Sequence, residues 1–387
     1  MKTLIFYCQH ILGIGHLVRS LEIARGLMKD FQIYFVNGGE IIDQFPIPPG
    51  IEMINLPAIK TDAGFRQLQV PDCFETVDQA LEARRQLLLE LCDRIRPDVV
   101  MVELFPFGRR RFSTELIPFL ERARTYGAKV VCSLRDIVVT KQDRARHEAK
   151  VCKLLNCYFD QLLIHGDPAF VPLELSFGSV HQLRCAVHYT GYVVKALERN
   201  SIPLPVRQPF ILVSVGGGRF GHDLLASVAL ASALLADRMP HQIQIFAGPF
   251  SPAPIFEQLR QLAAHQPNLS VNRYTPHLLS YMQQADLSIS MGGYNTTLNV
   301  LQTGVRAMLL PFKGNDDQEQ TLRADRLEQL GLVRVIRPED LPPERLADCI
   351  VEHLQQPPRQ RQFDLQGVER TAALVRSLAY SNEVLSA

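Results

Sequence analysis

The stretch Leu287–Gly331, LSISMGGYNTTLNVLQTGVRAMLLPFKGNDDQEQTLRADRLEQLG, decides how this chain is read. Leu287–Ser290 is a short apolar run with strand character, Gly292 and Gly293 form a turn, and Asn295, Thr296 and Thr297 open a helix. A second strand is expected over Arg306–Leu310, then a polar loop. Strand, glycine turn and helix start together make an anion site. Glycine lets backbone N–H groups come close to a ligand, and the first turn of a helix leaves its donors unpaired. A capping role for Asn295 or Thr296 is the plainer alternative. The next loop favours a site. After Pro311, the run Lys313-Gly314-Asn315-Asp316-Asp317-Gln318-Glu319-Gln320 sets many hydrogen-bonding side chains behind the neighbouring strand. That is the carboxyl edge, where open parallel sheets bind ligands.

These residues resemble the C-terminal, donor-binding domain of the family 28 glycosyltransferases. Ser290, Gly293 and Thr297 match its serine, glycine and threonine pattern, and Asp317 and Gln320 match its later acidic and glutamine loop. Glu319 stands where the first of two glutamines would be, and Asn299 where a glutamate would hold the ribose. The resemblance implies that this half binds a nucleoside diphosphate sugar, a UDP-sugar such as UDP-N-acetylglucosamine. Gly292, Gly293, Tyr294, Asn295, Thr297, Asn299, Asp317 and Gln320 would surround it.

A chain of 387 residues is long enough for two ordinary domains, each with its own core. With 47% hydrophobic and 21% charged residues the composition is that of a globular protein. Lys+Arg 41 against Asp+Glu 40 gives no global charge to recruit nucleic acid or an acidic membrane, so any charged site is local. The eight cysteines show no C-x-x-C pair and no spacing that suits zinc, which reads as free thiols in a reducing compartment. No signal peptide and no membrane-spanning run is evident, so a cytoplasmic protein is expected, with room for peripheral contact at the inner face of a membrane.

The chain opens on a strand, Thr3–Cys8, and a loop that ends Gly13-Ile14-Gly15-His16. Val18 and Arg19 stand where a dinucleotide fingerprint needs its third glycine, so NAD binding is not indicated. A histidine at a helix start is commonly a polar surface residue. The helix N-terminus also depresses an imidazole pKa, which keeps it neutral and able to take a proton. In two-Rossmann glycosyltransferases a similar loop sets its histidine beside the acceptor, and some nucleotide-sugar hydrolases use one to activate water. The resemblance thus implies His16 as general base, with Gly13 and Gly15 on the acceptor or its phosphate.

Further strands are expected at Phe31–Val36 and Ile51–Asn55, a region of little periodicity at Thr61–Thr76, and a helix over Val77–Ile95. After the strand Asp98–Leu104, Arg109-Arg110-Arg111 lies between Phe107 and Phe112. It is either a solvated helix start or a docking point for phosphate or an anionic surface. Glu103, at that strand's carboxyl end, is placed to orient His16 or hold an acceptor hydroxyl. Lys129–Leu134 ends in Arg135-Asp136, an ion pair or part of the acceptor site. Strands at Asp160–Ile164 and His188–Tyr189 close the half, and Gly191–Pro209 reads as a linker.

The second half repeats the rhythm. The strand Phe210–Val215 runs into Gly216-Gly217-Gly218-Arg219-Phe220-Gly221, four glycines in six residues, and then a helix from Asp223. Such density is costly unless backbone must approach something closely, and pyrophosphate, with Arg219 assisting, is the candidate. Gln242–Ala247 and Leu269–Asn272 are strands. The latter leads into Arg273-Tyr274-Thr275, which matches the segment that holds the base in related enzymes. Leu332–Ile336 is the last strand, and Pro342–Ala387 is mainly helical.

Alternating strands and helices, restarted midway, make an α/β protein of two doubly wound Rossmann-like domains facing across a cleft, the GT-B fold. Residues 1–195 form the acceptor side and 208–387 the donor side, with the last helix crossing back to the first domain. The expected function is an inverting, metal-independent transfer from a UDP-sugar to a hydroxyl acceptor, with no cofactor. The acceptor is a lipid-linked carrier, a soluble sugar or a small metabolite. A nucleotide-sugar hydrolase using the same cleft, or a nucleotide-sugar-binding protein without turnover, are the alternatives. A 2-epimerase is disfavoured by the lack of its acidic residues.

Overall fold

The computed structural model describes all residues except 12–14, 43–46, 62–67, 140–142, 198–207, 313–317, 358, 360 and 382–387. The chain divides into two compact units, Met1–Val194 with Phe363–Ala387, and Lys195–Gln362.

The first unit runs β1 (Lys2–Cys8), α1 (Gly15–Leu27), β2 (Phe31–Asn37), β3 (Ile51–Asn55), β4 (Lys60–Thr61), β5 (Leu68–Gln69) and α2 (Val77–Ile95). It continues through β6 (Val99–Glu103), α3 (Ser113–Thr125), β7 (Lys129–Arg135), α4 (Arg144–Tyr158), β8 (Gln161–His165) and β9 (Ala186–Tyr189). Seven of these strands form a parallel sheet in the order β3-β2-β1-β6-β7-β8-β9. The antiparallel pair β4–β5 marks the segment of little periodicity, with β4 beginning one residue before it and β5 inside it.

β1 is buried on both faces, and its side chains alternate between two cores as a strand's period of two requires. Leu4, Phe6 and Cys8 join Leu17, Leu21 and Ala24 of α1 on one side, while Ile5 and Tyr7 join Leu88, Leu91 and Phe119 on the other. Each Leu, Ile and Phe side chain among them contributes about 1.5–3 kcal/mol relative to exposure. The α1 core also takes Val368 and Val375, because the last helix, α11 (Gly367–Tyr380), packs in this unit.

The segment read as a linker is packed at its start. Tyr192 is fully buried, its N–H donates to Asp364 O at 2.7 Å, and its Oη donates to Asp136 Oδ2 at 3.3 Å. Gly191 meets Asp364 so closely that an added Cβ would lie 2.5 Å from Oδ1.

The second unit runs β10 (Phe210–Ser214), α5 (His222–Ala236), β11 (Gln242–Phe246), α6 (Ala253–Ala264), β12 (Leu269–Asn272) and α7 (Leu278–Gln284). Then come β13 (Leu287–Met291), α8 (Tyr294–Thr303), β14 (Ala307–Leu310), α9 (Glu319–Gln329), β15 (Arg334–Val335) and α10 (Pro343–Gln355). Six parallel strands are ordered β12-β11-β10-β13-β14-β15. Among the described residues no helix is long and apolar enough to cross a membrane.

Candidate functional site

In an open parallel sheet the strand order reverses at one point, and the loops on either side of that point part to leave a crevice at the carboxyl ends. In the first unit the reversal falls between β1 and β6, and in the second between β10 and β13. The loop that leads to His16 follows β1, and Glu103 ends β6. The turns Gly216–Gly221 and Gly292–Gly293 follow β10 and β13. Each glycine or histidine turn singled out in the sequence therefore flanks a switch point.

In the first unit His16 Nδ1 lies 2.7 Å from Glu103 Oε1. Glu103 is fully buried, and the same oxygen accepts from Nη2 of Arg19, one turn along α1 from His16. Its other oxygen, Oε2, is buried without a hydrogen bond. Burial alone would raise the Glu103 carboxyl, but His16, Arg19 and Arg109 outweigh it and bring the group down to about 2. Glu103 is thus ionised at neutral pH. Burial is also the main cause for His16, pushing its imidazole down to about 4, with Arg135 and Arg109 adding to that effect against the pull of Glu103. A neutral imidazole that donates through Nδ1 presents an acceptor lone pair at Nε2.

Of the three consecutive arginines, Arg110 and Arg111 are exposed in a single 3-10 turn ahead of α3, which is the solvated start. Arg109 turns inward, and its Nε donates to Gln9 O at 2.8 Å. Arg135 is the last residue of β7, and its neighbour Asp136 is buried against Tyr192. Gly15 begins α1, while Gly13 lies outside the described residues.

A group that the sequence reading missed holds this edge in place. Arg84 of α2 is fully buried and donates from Nε to Glu115 Oε2 at 2.7 Å, from Nη1 to Gly38 O and Pro57 O at 2.8 Å each, and from Nη2 to Gln9 Oε1 at 2.6 Å. It thereby ties the loops after β1, β2 and β3. Its signal was in the sequence: position 84 falls on the apolar stripe of Ala80, Leu81, Leu88 and Leu91. His165 is a second such group, fully buried between Ser133 Oγ (2.8 Å) and Thr190 Oγ1 (2.9 Å), and burial brings its pKa to about 3.

In the second unit the glycine turns differ in what they accommodate. Gly218 has φ +83°, and a Cβ there would lie 2.4 Å from Ala247 O and 2.9 Å from Gly248 Cα. The backbone that approaches Gly218 is the chain's own, which accounts for that glycine without a ligand. Gly216 (φ +62°) and Gly293 open onto free space, with nothing within 4 Å of an added Cβ. His222 closes the first turn through a 2.9 Å bond from Nε2 to Gly218 O, and the exposed Arg219 stacks on Phe250 at 4.6 Å.

α8 starts at Tyr294 with Gly293 at the cap and no side chain capping it, so Asn295 and Thr296 lie in the first turn instead of at the cap. Thr297 is buried. Its N–H makes the helix bond to Gly293 O at 2.9 Å, and its hydroxyl lies 3.4 Å from Gly292 O. Ser290 is buried in the sheet between Ser214 and Ser288. Asn295 and Asn299, four residues apart, share one half-buried face. Tyr274 is 53% exposed after β12, and Thr275 Oγ1 accepts from His277 N. Gln320, in the first turn of α9, accepts from Phe312 N–H at 3.0 Å through Oε1, which lies 3.7 Å from a Cβ built on Gly292. The loop after β14 that contains Asp317 is outside the described residues. Among the described residues no three His, Cys, Asp or Glu side chains are grouped to hold a metal ion.

Residues 211–373 match the model of the glycosyltransferase family 28 C-terminal domain. An uncharacterized glycosyltransferase of Methanosarcina acetivorans is 21% identical over 367 residues, 91% of this chain and 89% of the relative. The UDP-N-acetylglucosamine--N-acetylmuramyl-(pentapeptide) pyrophosphoryl-undecaprenol N-acetylglucosamine transferase of Thermotoga neapolitana is 22% identical over 345 residues, 87% of this chain and 88% of the relative. Among solved structures, MurG of Acinetobacter baumannii superposes with a TM-score of 0.57 at 15% identity, covering 98% of this chain and all of that one. With two Rossmann-like sheets and a match to the family 28 C-terminal domain over residues 211–373, the chain has the GT-B fold of glycosyltransferases and resembles family 28 in its second half.

Proposed function

We propose that the protein transfers a sugar from a UDP-sugar to an acceptor hydroxyl with inversion at the anomeric carbon. The observation that carries this reading is the contact of 2.7 Å between His16 and Glu103 at the switch point of the first sheet. Glu103 fixes the tautomer, His16 Nε2 takes the acceptor proton, and the acceptor oxygen forms its bond to the anomeric carbon from the face opposite the diphosphate. The bond to the diphosphate breaks, and the leaving group carries away the electron pair. In the second unit its charge meets the helix start at Gly293–Thr296 and the open turn at Gly216–Gly217, where backbone N–H groups take the part a divalent cation plays elsewhere. Asn295, Asn299 and Gln320 hold the nucleotide and sugar, and the segment Tyr274–Thr275 holds the base.

The Thermotoga relative's name supplies UDP-N-acetylglucosamine as the first donor to try and a lipid pyrophosphate as the first acceptor class. Calorimetry with UDP, GDP and NAD, followed by turnover of UDP-N-acetylglucosamine in EDTA, tests the reading. UDP is expected to bind in preference to both, and Thr297→Ala to weaken it. His16→Ala is expected to keep UDP affinity and lose about 10²–10⁴ of the rate. Undiminished turnover in His16→Ala, or none without Mg²⁺ or Mn²⁺, overturns the mechanism. Release of free sugar in the absence of acceptor identifies a hydrolase instead.

A further inference from the structure

The loop after β6 contains an arginine that is held at one end and open at the other. Arg109 has φ +59°, the left-handed region that glycine favours, and its Nε donates to Gln9 O at 2.8 Å. That carbonyl is itself fixed. Gln9 is fully buried, and its side chain accepts from Arg84 Nη2 at 2.6 Å and donates to Ile59 O at 3.0 Å. Among the described residues neither Nη1 nor Nη2 of Arg109 makes a hydrogen bond, and the residue is half-buried. A guanidinium anchored through Nε presents its two Nη groups as a fork for a carboxylate or a phosphate.

The fork belongs to the edge that carries His16. Gln9 follows β1 and Glu103 ends β6, strands that pair in register at Tyr7 and Val102, and Glu103 contacts His16. Burial is the main reason that His16 is a weak base, and the charges of Arg135 and Arg109 add to it against the pull of Glu103. Of the other groups on this edge, Arg19 of α1 bonds Glu103 and Asp136 is engaged by Tyr192. Cys8, His10 and His165 are buried and uncharged at neutral pH.

We propose that Arg109 binds an oxyanion, a phosphate or a carboxylate, carried by the acceptor, and that this bound charge offsets the arginine beside His16, so the base reaches working strength only with the acceptor in place. The acceptor half of this inference rests on the reading of His16 as general base. Its physical content is a gate, since an anion near an imidazole favours the protonated form and a cation disfavours it. Water brings no such charge, so the donor is protected from hydrolysis until an anionic acceptor arrives. The acceptor hydroxyl then gives its proton to Nε2 as its oxygen bonds to the anomeric carbon.

The test follows the His16 imidazole by NMR through a pH titration, with and without inorganic phosphate, in the unmodified protein and three variants. These are Arg109→Met, Arg109→Lys and, as a control at an exposed neighbour, Arg111→Met. Phosphate is expected to raise the His16 midpoint by about one pH unit in the unmodified protein and in Arg111→Met. Arg109→Met should raise the midpoint with no anion present, and phosphate should then add little. Arg109→Lys keeps the charge but not the fork, so the midpoint should stay low while phosphate binds about tenfold more weakly. It also keeps the test decisive if Arg109→Met does not fold. Glycerol 3-phosphate, which joins the oxyanion to hydroxyls in one molecule, should bind more tightly than inorganic phosphate, by about threefold or more.

A midpoint that phosphate leaves unmoved, or moves equally in Arg109→Met, overturns the proposal. Equal or weaker binding of glycerol 3-phosphate assigns the site to a free anion and overturns the acceptor half. Calorimetry with UDP separates this inference from the donor-site reading. If UDP binds and phosphate does not act on His16, the gate alone fails. If UDP does not bind while phosphate acts through Arg109, the donor-site reading fails and the oxyanion site stands.

Discussion

Replacing Glu103 with glutamine keeps the shape of the side chain and removes the charge that Arg19 and His16 share. Glu103 is fully buried, so solvent screens little of the effect. Its folded pKa is depressed from 4.5 to about 2. A depressed carboxylate stabilises the fold above its unfolded pKa, and that contribution is lost as pH falls from 4.5 toward 2. The gap corresponds to about 3 kcal/mol at pH 7. An independent estimate agrees, since removing one partner of a buried ion pair costs about 3–5 kcal/mol. Urea unfolding of both proteins is expected to show Glu103→Gln about 3 kcal/mol less stable at pH 7, with the difference shrinking to about 1 kcal/mol near pH 3. His16, depressed from 6.5 to about 4, makes both proteins lose stability on acidification between those values. A difference at pH 7 below about 1 kcal/mol, or one that does not change on acidification, would refute the charge assignment.

Arg84→Met should destabilise the first unit by about 3–5 kcal/mol, while Arg84→Met combined with Glu115→Leu should cost less than the single change, because no charge is left buried alone. Urea midpoints of the two variants check this. The two glycine turns should respond differently to alanine. Gly218→Ala, at φ +83° and 2.4 Å from Ala247 O, is expected to cost about 3 kcal/mol or more. Gly293→Ala, at φ −62° with open space around its Cβ, should stay within about 0.5 kcal/mol in a thermal melt and still weaken UDP binding.

The fold was legible because buried parallel strands announce themselves as short apolar runs bounded by glycine and polar turns. Ile51–Asn55, Leu269–Asn272 and the helix Val77–Ile95 have the expected bounds. The last strand is shorter than the apolar run Leu332–Ile336, since only Arg334 and Val335 pair with β14. Side-chain partnerships across the sequence were less accessible. His16 and Glu103 were singled out by position after their strands, but Arg19, which completes their charge balance, sits three residues beyond the histidine inside an ordinary helix. Arg84, Glu115 and Arg323 each carry a charge on a helix face that is otherwise buried. That is a visible irregularity, but it names no partner, because the partner lies on another element or is itself buried by one. Gly218 shows the limit of composition: glycine density announces close approach and does not say whether a ligand or the chain itself comes near.

The return of α11 to the first unit has a consequence for how the protein is made. The second unit is one continuous segment, Lys195–Gln362, inserted into a first unit whose pieces lie at both ends of the sequence. Val368 and Val375 fill the α1 side of the first core, Lys2 Nζ donates to Ala379 O at 2.5 Å, and Arg376 pairs with Asp30 at 3.5 Å. During synthesis the first sheet must therefore wait, with the groove on α1 uncovered, while the whole second unit is translated and acquires its own core. At about 5–20 residues per second the interval is on the order of ten seconds or more, a window in which exposed apolar surface invites chaperones and aggregation. A nascent chain stalled after Gln362 should expose a foldable second half beside an unfinished first one.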